Sequence, residues 1–231
     1  IGAGGALGAN TTADYNIAMG YAAMAANTTG TRNTAIGHNA YTASDTEDDN
    51  IAIGYNAMTT NTAGGVENLA VGNYALDALT SGDGNVALGH MTLTATDTGR
   101  HNVGVGYRAL YTNTGGDNNV AVGKESLFYN TTGEDNIALG NQSLTANTTG
   151  TANTAVGTNA LTANTTGQDN IAIGKNTLSA NTTGVRNMAI GRAAYYSSDT
   201  ENDNIAIGYG AMTVNTAGGT QNTAVGNYAL D

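Results

Sequence analysis

An asparagine recurs along the whole chain at intervals of 17 residues, with intervals of 18 only from Asn50 to Asn68 and from Asn204 to Asn222. From each of these residues the sequence reads Asn-x-Ala-x-Gly, as in Asn153 to Gly157, except that Gly104 replaces the Ala after Asn102. A short period that does not drift predicts a solenoid in which every unit forms one coil. The leading asparagines are Asn16, Asn33, Asn50, Asn68, Asn85, Asn102, Asn119, Asn136, Asn153, Asn170, Asn187, Asn204 and Asn222.

We number each leading Asn as coil position 0, and position 4 is then glycine in every unit. Glycine adopts backbone conformations that a residue with a Cβ resists, so the chain is expected to turn there. The Asn and Gly columns together predict a structural ladder along the coils. The glycines are Gly20, Gly37, Gly54, Gly72, Gly89, Gly106, Gly123, Gly140, Gly157, Gly174, Gly191, Gly208 and Gly226.

The residues between the Asn and the Gly have the pattern of a short strand. Positions 1 and 3 are mostly large and apolar, whereas position 2 is Ala in every unit except the one that contains Gly104. Successive strand residues point to opposite faces, and neither face is polar here, so both are expected to be buried. We expect positions 1 and 3 to fill the coil and the Ala face to lie close against a second protein surface, which is either the opposite wall of the coil or, as we favour, another subunit.

The second half of each unit is equally regular. Position 7 is small and position 8 is large, as in Ala160 and Leu161, which predicts a second short strand and a second core column. Asn-Thr-Thr-Gly, as in Asn164 to Gly167, then has the composition of a turn that returns the chain to the next leading Asn.

These patterns predict an all-β fold, a parallel β-solenoid of about thirteen 17-residue coils that forms one repeat domain over residues 1–231. The sequence also contains a longer repeat that spans several coils. After a shift of 154 residues, Asn16 to Asp77 overlays Asn170 to Asp231 with 44 of 62 residues identical. A nested repeat of this kind indicates a segment of a longer fibre made of tandem blocks.

Composition narrows the function classes. The net charge is −11, with only seven Lys and Arg scattered singly, so a nucleic-acid partner is not expected. No apolar run approaches the ~20 residues needed to span a bilayer, so this segment is not expected to insert into a membrane. His38, His90 and His101 have no Ser or Cys nucleophile in a matching column, so we expect no enzyme activity and no cofactor.

Two acidic turns are weak candidates for a calcium site, because Ca²⁺ requires several oxygen ligands around one ion. The alternative is a solvated acidic turn, and the Gly-Gly-x-Gly-x-Asp repeat of calcium-filled β-rolls is absent. We therefore assign no metal site from the sequence. The carboxylates concerned are Asp45, Glu47, Asp48, Asp49, Asp199, Glu201 and Asp203.

Seven Asn-x-Ser/Thr triplets match the pattern for N-glycosylation, and most occupy the predicted exposed turn. The alternative is that Asn-Thr-Thr-Gly is favourable turn chemistry, since Asn61 and Asn215 keep the turn as Asn-Thr-Ala. The candidate acceptors are Asn10, Asn27, Asn130, Asn141, Asn147, Asn164 and Asn181. Separately, Tyr21, Tyr55, Tyr107 and Tyr209 follow the position 4 glycine and could stack on sugars or cover a neighbouring subunit.

The unit Asn-x-Ala-Val/Ile-Gly-x-x-Ala-Leu, as in Asn153 to Leu161, resembles the head repeats of trimeric autotransporter adhesins of the YadA type. It is also similar to repeats in tail-fibre-like proteins of phages and bacteria. The resemblance covers essentially the whole chain, although the period here is longer than the YadA head unit. It implies a left-handed parallel β-roll, three chains around a common axis, and a role in attachment.

We therefore expect a non-enzymatic extracellular or cell-surface fibre, structural or adhesive, that self-associates as a homotrimer or filament and meets a host-surface or glycan receptor. One alternative is a ligand-binding solenoid module for glycans or calcium. Another is the shaft of a phage tail fibre, which would place the chain on a virion.

Overall fold

The computed structural model of the chain describes residues 5–197, 199–213 and 218–230. These residues contain thirteen strands of three residues and no helix. A helix of the length and apolar character needed to cross a membrane does not occur in the described part of the chain. The strands are β1 (Ile17–Met19), β2 (Thr34–Ile36), β3 (Ile51–Ile53), β4 (Leu69–Val71), β5 (Val86–Leu88), β6 (Val103–Val105), β7 (Val120–Val122), β8 (Ile137–Leu139), β9 (Thr154–Val156), β10 (Ile171–Ile173), β11 (Met188–Ile190), β12 (Ile205–Ile207) and β13 (Thr223–Val225).

The chain divides into two compact units, Ile1–Asp117 with β1 to β6 and Asn118–Asp231 with β7 to β13. Within each unit every strand pairs in parallel with the strand of the next coil. The register places equal coil positions opposite each other, as with Ala155 and Ala172. An 18-residue coil keeps this register, since Ala52 pairs with Ala70. The prediction of a parallel β-solenoid with one coil per unit is thus confirmed.

The interior of the coil is narrow, and side chains from three coil positions fill it. The Ala of position 2, the small residue of position 7 and the large residue of position 8 are fully buried, as in Ala155, Ala160 and Leu161. The prediction that position 8 forms a core column is therefore correct. The prediction that the Ala face lies against another subunit is wrong, because these methyl groups pack inside their own chain.

Positions 1 and 3 point outward, which reverses the orientation expected from the sequence. No residue at either position is buried in any strand, and Ile137, Leu139 and Ile173 remain 37 to 40 % exposed. A coil of 17 residues that already encloses a Leu has room opposite it for a methyl group only. Large side chains are accommodated at positions 1 and 3 because they point out of the coil.

The predicted second strand is also wrong, because the described residues at positions 5 to 8 of each coil from Asn16 onward form consecutive turns, which continue to position 10 in most coils. Asn159 at position 6 and Leu161 at position 8 both have left-handed backbone angles, with φ of 56° and 50°. Hydrogen bonds between coils continue through these turns, since Leu161 N donates to Thr177 O at 3.0 Å. Burial of the Leu side chain and this bond offset the ~1–2 kcal/mol cost of a left-handed residue.

The glycine at position 4 is required by both conformation and space. Gly157 has a φ of 132°, and a Cβ built there would lie 2.6 Å from the carbonyl oxygen of Gly174 in the next coil. The same close approach recurs at Gly37, whose Cβ would lie 2.2 Å from the oxygen of Gly54. A side chain in this column would therefore separate successive coils.

The single Gly at position 2 has a local explanation. Position 7 of the preceding coil is Thr92, and a Cβ on Gly104 would lie 2.6 Å from its Cγ2 atom. Thr92 is buried and donates a hydrogen bond to Gly106 O at 2.6 Å. The Cγ2 atom of Thr92 thus occupies space that a methyl group at residue 104 would require, whereas in the second unit Thr177 and Ala189 are both present and buried at the equivalent positions.

Candidate interaction surface

The leading asparagines form a hydrogen-bonded ladder within each unit. The side-chain oxygen of Asn153 accepts from the backbone N–H of Asn170 at 3.1 Å, and its Nδ2 donates to Gly167 O at 2.8 Å. The equivalent bonds join Asn16 to Asn33 and Asn204 to Asn222. Each leading Asn therefore links its own coil to the next and also closes its own turn, which gives it a structural role.

Five of the seven candidate glycosylation sites, for which the sequence predicts an exposed turn, lie at position 11, and four of them form a second asparagine ladder from Asn130 to Asn181. These side chains are completely buried: Asn27, Asn130, Asn147, Asn164 and Asn181. Nδ2 of Asn164, the atom that would carry a glycan, donates to Asn147 Oδ1 at 2.8 Å and to Gly167 O at 3.1 Å. A glycan on this atom would break both bonds and could not be accommodated in the folded coil.

The two other acceptor triplets lie at the surface. Asn10 and Asn141 are both exposed, and Asn141 occupies position 5, outside the buried ladder. These two asparagines are therefore the candidate acceptors that the fold leaves accessible.

The carboxylates of the acidic turns are engaged separately and do not converge. Asp49 receives two hydrogen bonds from the Arg32 guanidinium, at 2.6 and 2.7 Å, and these bonds hold the pKa of its carboxyl below the ordinary value. Asp203 is bound in the same way by Arg186. Asp48 Oδ1 accepts from the Thr31 backbone N–H at 2.6 Å. In the described ranges, no three His, Asp or Glu side chains form a group that could hold a metal ion.

Glu47 and Glu201 differ from the other acidic residues because only 4 % of each is exposed. They occupy position 14, where the other 17-residue coils generally have Gly. Glu47 accepts from the backbone N–H groups of Asp45 and Thr46 at 3.0 and 3.1 Å, and from Gly64 of the next coil at 3.2 Å. These carboxylates therefore have a structural role, because they bond to the backbone of their own turn and of the next coil.

Glu201 has the same environment in the second unit. Burial acts to raise the pKa of its carboxyl, but hydrogen bonds from backbone N–H groups, including those of Asp199, Thr200 and Gly218, outweigh this effect and lower it. Sequence reasoning missed this role. The available signal was that each 18-residue coil directly follows a coil with Glu at position 14.

The coil that contains Glu47 departs from the repeat pattern at a second position. Tyr41 replaces the Leu of position 8 and is fully buried. Its hydroxyl accepts from Nδ2 of Asn50 at 2.7 Å, and burial raises its pKa. Tyr195 is the equivalent buried residue in the Glu201 coil, so the Tyr and Glu exchanges occur together.

The most extensive candidate site is the outer strand face, which we define as positions 1 and 3 of β1 to β6 in one unit and of β7 to β13 in the other. Its side chains are Ile, Val, Leu and Met with three Thr, and none carries a charge. Exposed apolar area that continues over many strands is rare on a monomer and marks an interaction site.

A ladder of aromatic rings follows the glycine column in the first unit. Tyr21, His38 and Tyr55 stack with ring centroids 5.1 and 5.4 Å apart, and the series continues through Tyr74, His90 and Tyr107. Beside it, two neighbouring coils form an open groove of about 330 Å³. The groove is lined by Asn39, Thr42, Ala43, Asn56, Thr59 and Thr60. Amide and hydroxyl groups beside aromatic rings are a surface on which a sugar can bind.

Of the four tyrosines singled out from the sequence, Tyr21, Tyr55 and Tyr107 belong to this ladder. Tyr209 lies in the second unit against Tyr228, with centroids 5.2 Å apart.

Comparison with family models, with curated proteins and with solved structures finds no match to this chain.

Proposed function

We propose that the chain is a non-enzymatic structural or adhesive fibre segment located outside the cell, which associates with further copies of itself through the outer strand face. The observation that carries this proposal is the uncharged apolar character of that face in a chain with a net charge of −11. A solenoid of this kind supports a long and uniform contact, because each added coil repeats the same two outward side chains.

A second copy is the occupant that fits this face best. The rows of Ile and Val recur at the inter-strand spacing of about 4.8 Å, and another copy of the chain has rows with the same spacing. The sequence resemblance to adhesin head repeats favours three copies around a common axis, so we propose a homotrimer. The buried Ala column is no longer available for this contact, which leaves positions 1 and 3 as the interface.

Glycan binding is the second candidate function, and the groove beside the aromatic ladder favours it. Asn39 and Asn56 are joined by a hydrogen bond of 3.2 Å and leave further amide and carbonyl groups at the groove. In this proposal the fibre presents a receptor-binding surface. Calcium binding has no comparable support, because the acidic side chains are held by Arg32, Arg186 and backbone N–H groups.

Immunogold labelling of intact source cells or virions with an antibody against the chain tests the proposed function. We expect label on surface filaments of unpermeabilised cells or on virion fibres. Label that appears only after permeabilisation would contradict an extracellular fibre.

A glycan array on the purified chain tests the second function, with Asn39→Ala/Asn56→Ala as the groove variant. Loss of binding in this variant alone, with binding retained by Asn159→Ala/Asn176→Ala, would assign the ligand to the groove.

A further inference from the structure

Two pairs of tyrosines are in ring contact between neighbouring coils. Tyr55 contacts Tyr74 in the first unit with ring centroids 5.4 Å apart, and Tyr209 contacts Tyr228 in the second unit with centroids 5.2 Å apart. The rings meet edge to face, at interplanar angles of 71° and 78°. In this arrangement the edge carbons of one ring lie against the face of the other.

Both pairs occupy the same place in the repeat. The first tyrosine is at position 5 of an 18-residue coil, and the second is at position 6 of the next coil, a position that is tyrosine in no other coil. Backbone bonds fix the first pair, since Tyr74 N donates to Tyr55 O at 2.9 Å and Tyr55 N donates to Asn73 Oδ1 at 2.9 Å. The equivalent bonds occur in the second unit. Each pair is therefore held in contact by the coils themselves.

The first pair meets at its hydroxyl ends. The pKa of Tyr74 is raised above its ordinary value, first by burial and then by the neighbouring Tyr55 hydroxyl. The ring carbons next to a phenol oxygen, the ortho carbons, carry much of the unpaired electron of a tyrosyl radical. Two tyrosyl radicals in contact at this end can therefore form a bond between ortho carbons.

Both pairs are accessible to an oxidant in solution. Tyr55 and Tyr209 are each 42 % exposed, and Tyr228 is 57 % exposed. Tyr41 and Tyr195 are fully buried, so an oxidant in solution does not reach them. The pairs thus combine access to solvent with a second tyrosine in contact.

We propose that Tyr55 with Tyr74, and Tyr209 with Tyr228, are sites of oxidative cross-linking, at which a haem peroxidase that uses hydrogen peroxide joins the two rings as dityrosine. Each tyrosine loses the hydrogen atom of its hydroxyl group. One hydrogen peroxide takes up both hydrogen atoms and leaves as two water molecules. The two radicals form one C–C bond between ortho carbons, and the hydrogens of these carbons move to the oxygens, which restores both phenols.

The cross-link joins consecutive coils of one chain. The chain has no cysteine, so a disulfide cannot supply this connection. Because the rings are already in contact, coupling within a pair is faster than an encounter between tyrosines of different molecules. The bond also restricts the unfolded chain, which stabilises the folded coils. It forms with or without self-association.

Fragment mapping of the oxidised chain tests the proposal. The purified chain is treated with a haem peroxidase and limiting hydrogen peroxide, and is then cleaved at methionine with cyanogen bromide. Met58 lies between the tyrosines of the first pair and Met212 between those of the second, and both are fully buried, which protects them from peroxide. We expect fragments 25–58 and 59–91 to remain joined, and likewise 189–212 and 213–231. Each joined product should be two hydrogen atoms lighter than the sum of its fragments.

Substitution by phenylalanine identifies the residues that react, because it keeps the ring and removes the hydroxyl. Tyr74→Phe and Tyr228→Phe should each lose their own joined product and keep the other. Tyr21→Phe is the matched control, since Tyr21 is 59 % exposed in the same ladder but stacks on His38. It should keep both products. Joined products that persist in Tyr74→Phe and Tyr228→Phe, or links spread over Tyr15 and Tyr21 according to exposure, would overturn the proposal.

Two further measurements separate this cross-link from other oxidation. In an equal mixture of ¹⁵N-labelled and unlabelled chains, each joined product should carry a single label, and products of mixed label would show coupling between chains and overturn the proposal. Oxidised wild type should melt roughly 5–10 °C above the untreated chain, as closure of a short loop provides. Tyr74→Phe/Tyr228→Phe should show no such rise. The same rise in this variant would contradict a stabilising bond at the two pairs.

Discussion

Glu47 accepts a hydrogen bond of 3.2 Å from the backbone N–H of Gly64, which is the additional residue of the 18-residue coil that follows. In regular coils a Cβ at position 14 would collide with the next coil, as a Cβ on Gly150 would lie 2.4 Å from Gly167 O. The additional residue moves the next turn outward and provides room for the Glu side chain. Glu201 and Gly218 repeat this relationship.

Deletion of Gly64 is therefore expected to destabilise the first unit strongly, by about 3 kcal/mol, since the shortened turn would overlap Glu47. Combination of this deletion with Glu47→Gly should restore much of the stability, because two regular 17-residue coils would then stack. Urea unfolding followed by circular dichroism measures both effects. Equal instability of the single and combined variants would show that the two residues are not coupled.

The contact between Thr92 and Gly104 predicts a second coupling. Gly104→Ala should cost about 1–3 kcal/mol, as expected for overpacking of a tight core site. Thr92→Ala in the same chain should reduce this cost, because the Cγ2 atom that opposes the new methyl group is removed. A double-mutant cycle on the free energy of unfolding tests the pair. Additive effects of the two substitutions would contradict the proposed coupling.

The pKa of Glu201 predicts an acid-dependent stability. A carboxyl whose pKa is lowered on folding contributes stability above its unfolded value, near 4.5, and this contribution is lost as the pH falls through the folded value. Wild type should therefore lose more stability between pH 7 and pH 3 than Glu201→Gln does. Glu134→Gln, at an exposed position, is the matched control. The same pH dependence in wild type and Glu201→Gln would contradict the role assigned to the buried carboxylate.

The period, the strand and the glycine column could all be predicted from the sequence, because every coil repeats the same backbone constraint. Which face of the strand points into the coil could not be predicted. An Ala column indicates a close contact, but the same pattern results whether the contact lies inside the coil or between subunits. The space left opposite Leu161 decides this, and that space depends on how the turns at positions 6 and 8 close the coil.

The site residues show the same limit. Asn-Thr-Thr-Gly has the composition of an exposed turn, which predicts a surface position for Asn164. In a stack of coils, however, such a side chain can bond to its equivalent in the next coil, and the ladder buries it. Turn chemistry indicates where the chain reverses but not which side chains point inward.

The burial of this second ladder predicts which triplets can carry glycans. Expression as a secreted protein in a glycosylating host should modify Asn141 and Asn10 and leave Asn147, Asn164 and Asn181 of the folded protein unmodified. Peptide mass spectrometry after enzymatic deglycosylation in ¹⁸O-labelled water measures the occupancy of each site. Full occupancy at Asn164 in soluble, folded protein would contradict the buried position of its Nδ2 atom.

Sedimentation equilibrium tests the central claim, that the outer strand face joins copies of the chain. Wild type should show a mass that is a multiple of 23.2 kDa, with a trimer as the proposed state. Val156→Lys/Ile173→Lys, on neighbouring strands of the face, should shift the mass toward 23.2 kDa without loss of β structure. The control Thr149→Lys/Thr166→Lys, at exposed turn positions, should assemble as wild type does. A wild type that remains at 23.2 kDa at all concentrations, or a face variant that assembles as well as the control, would contradict the account.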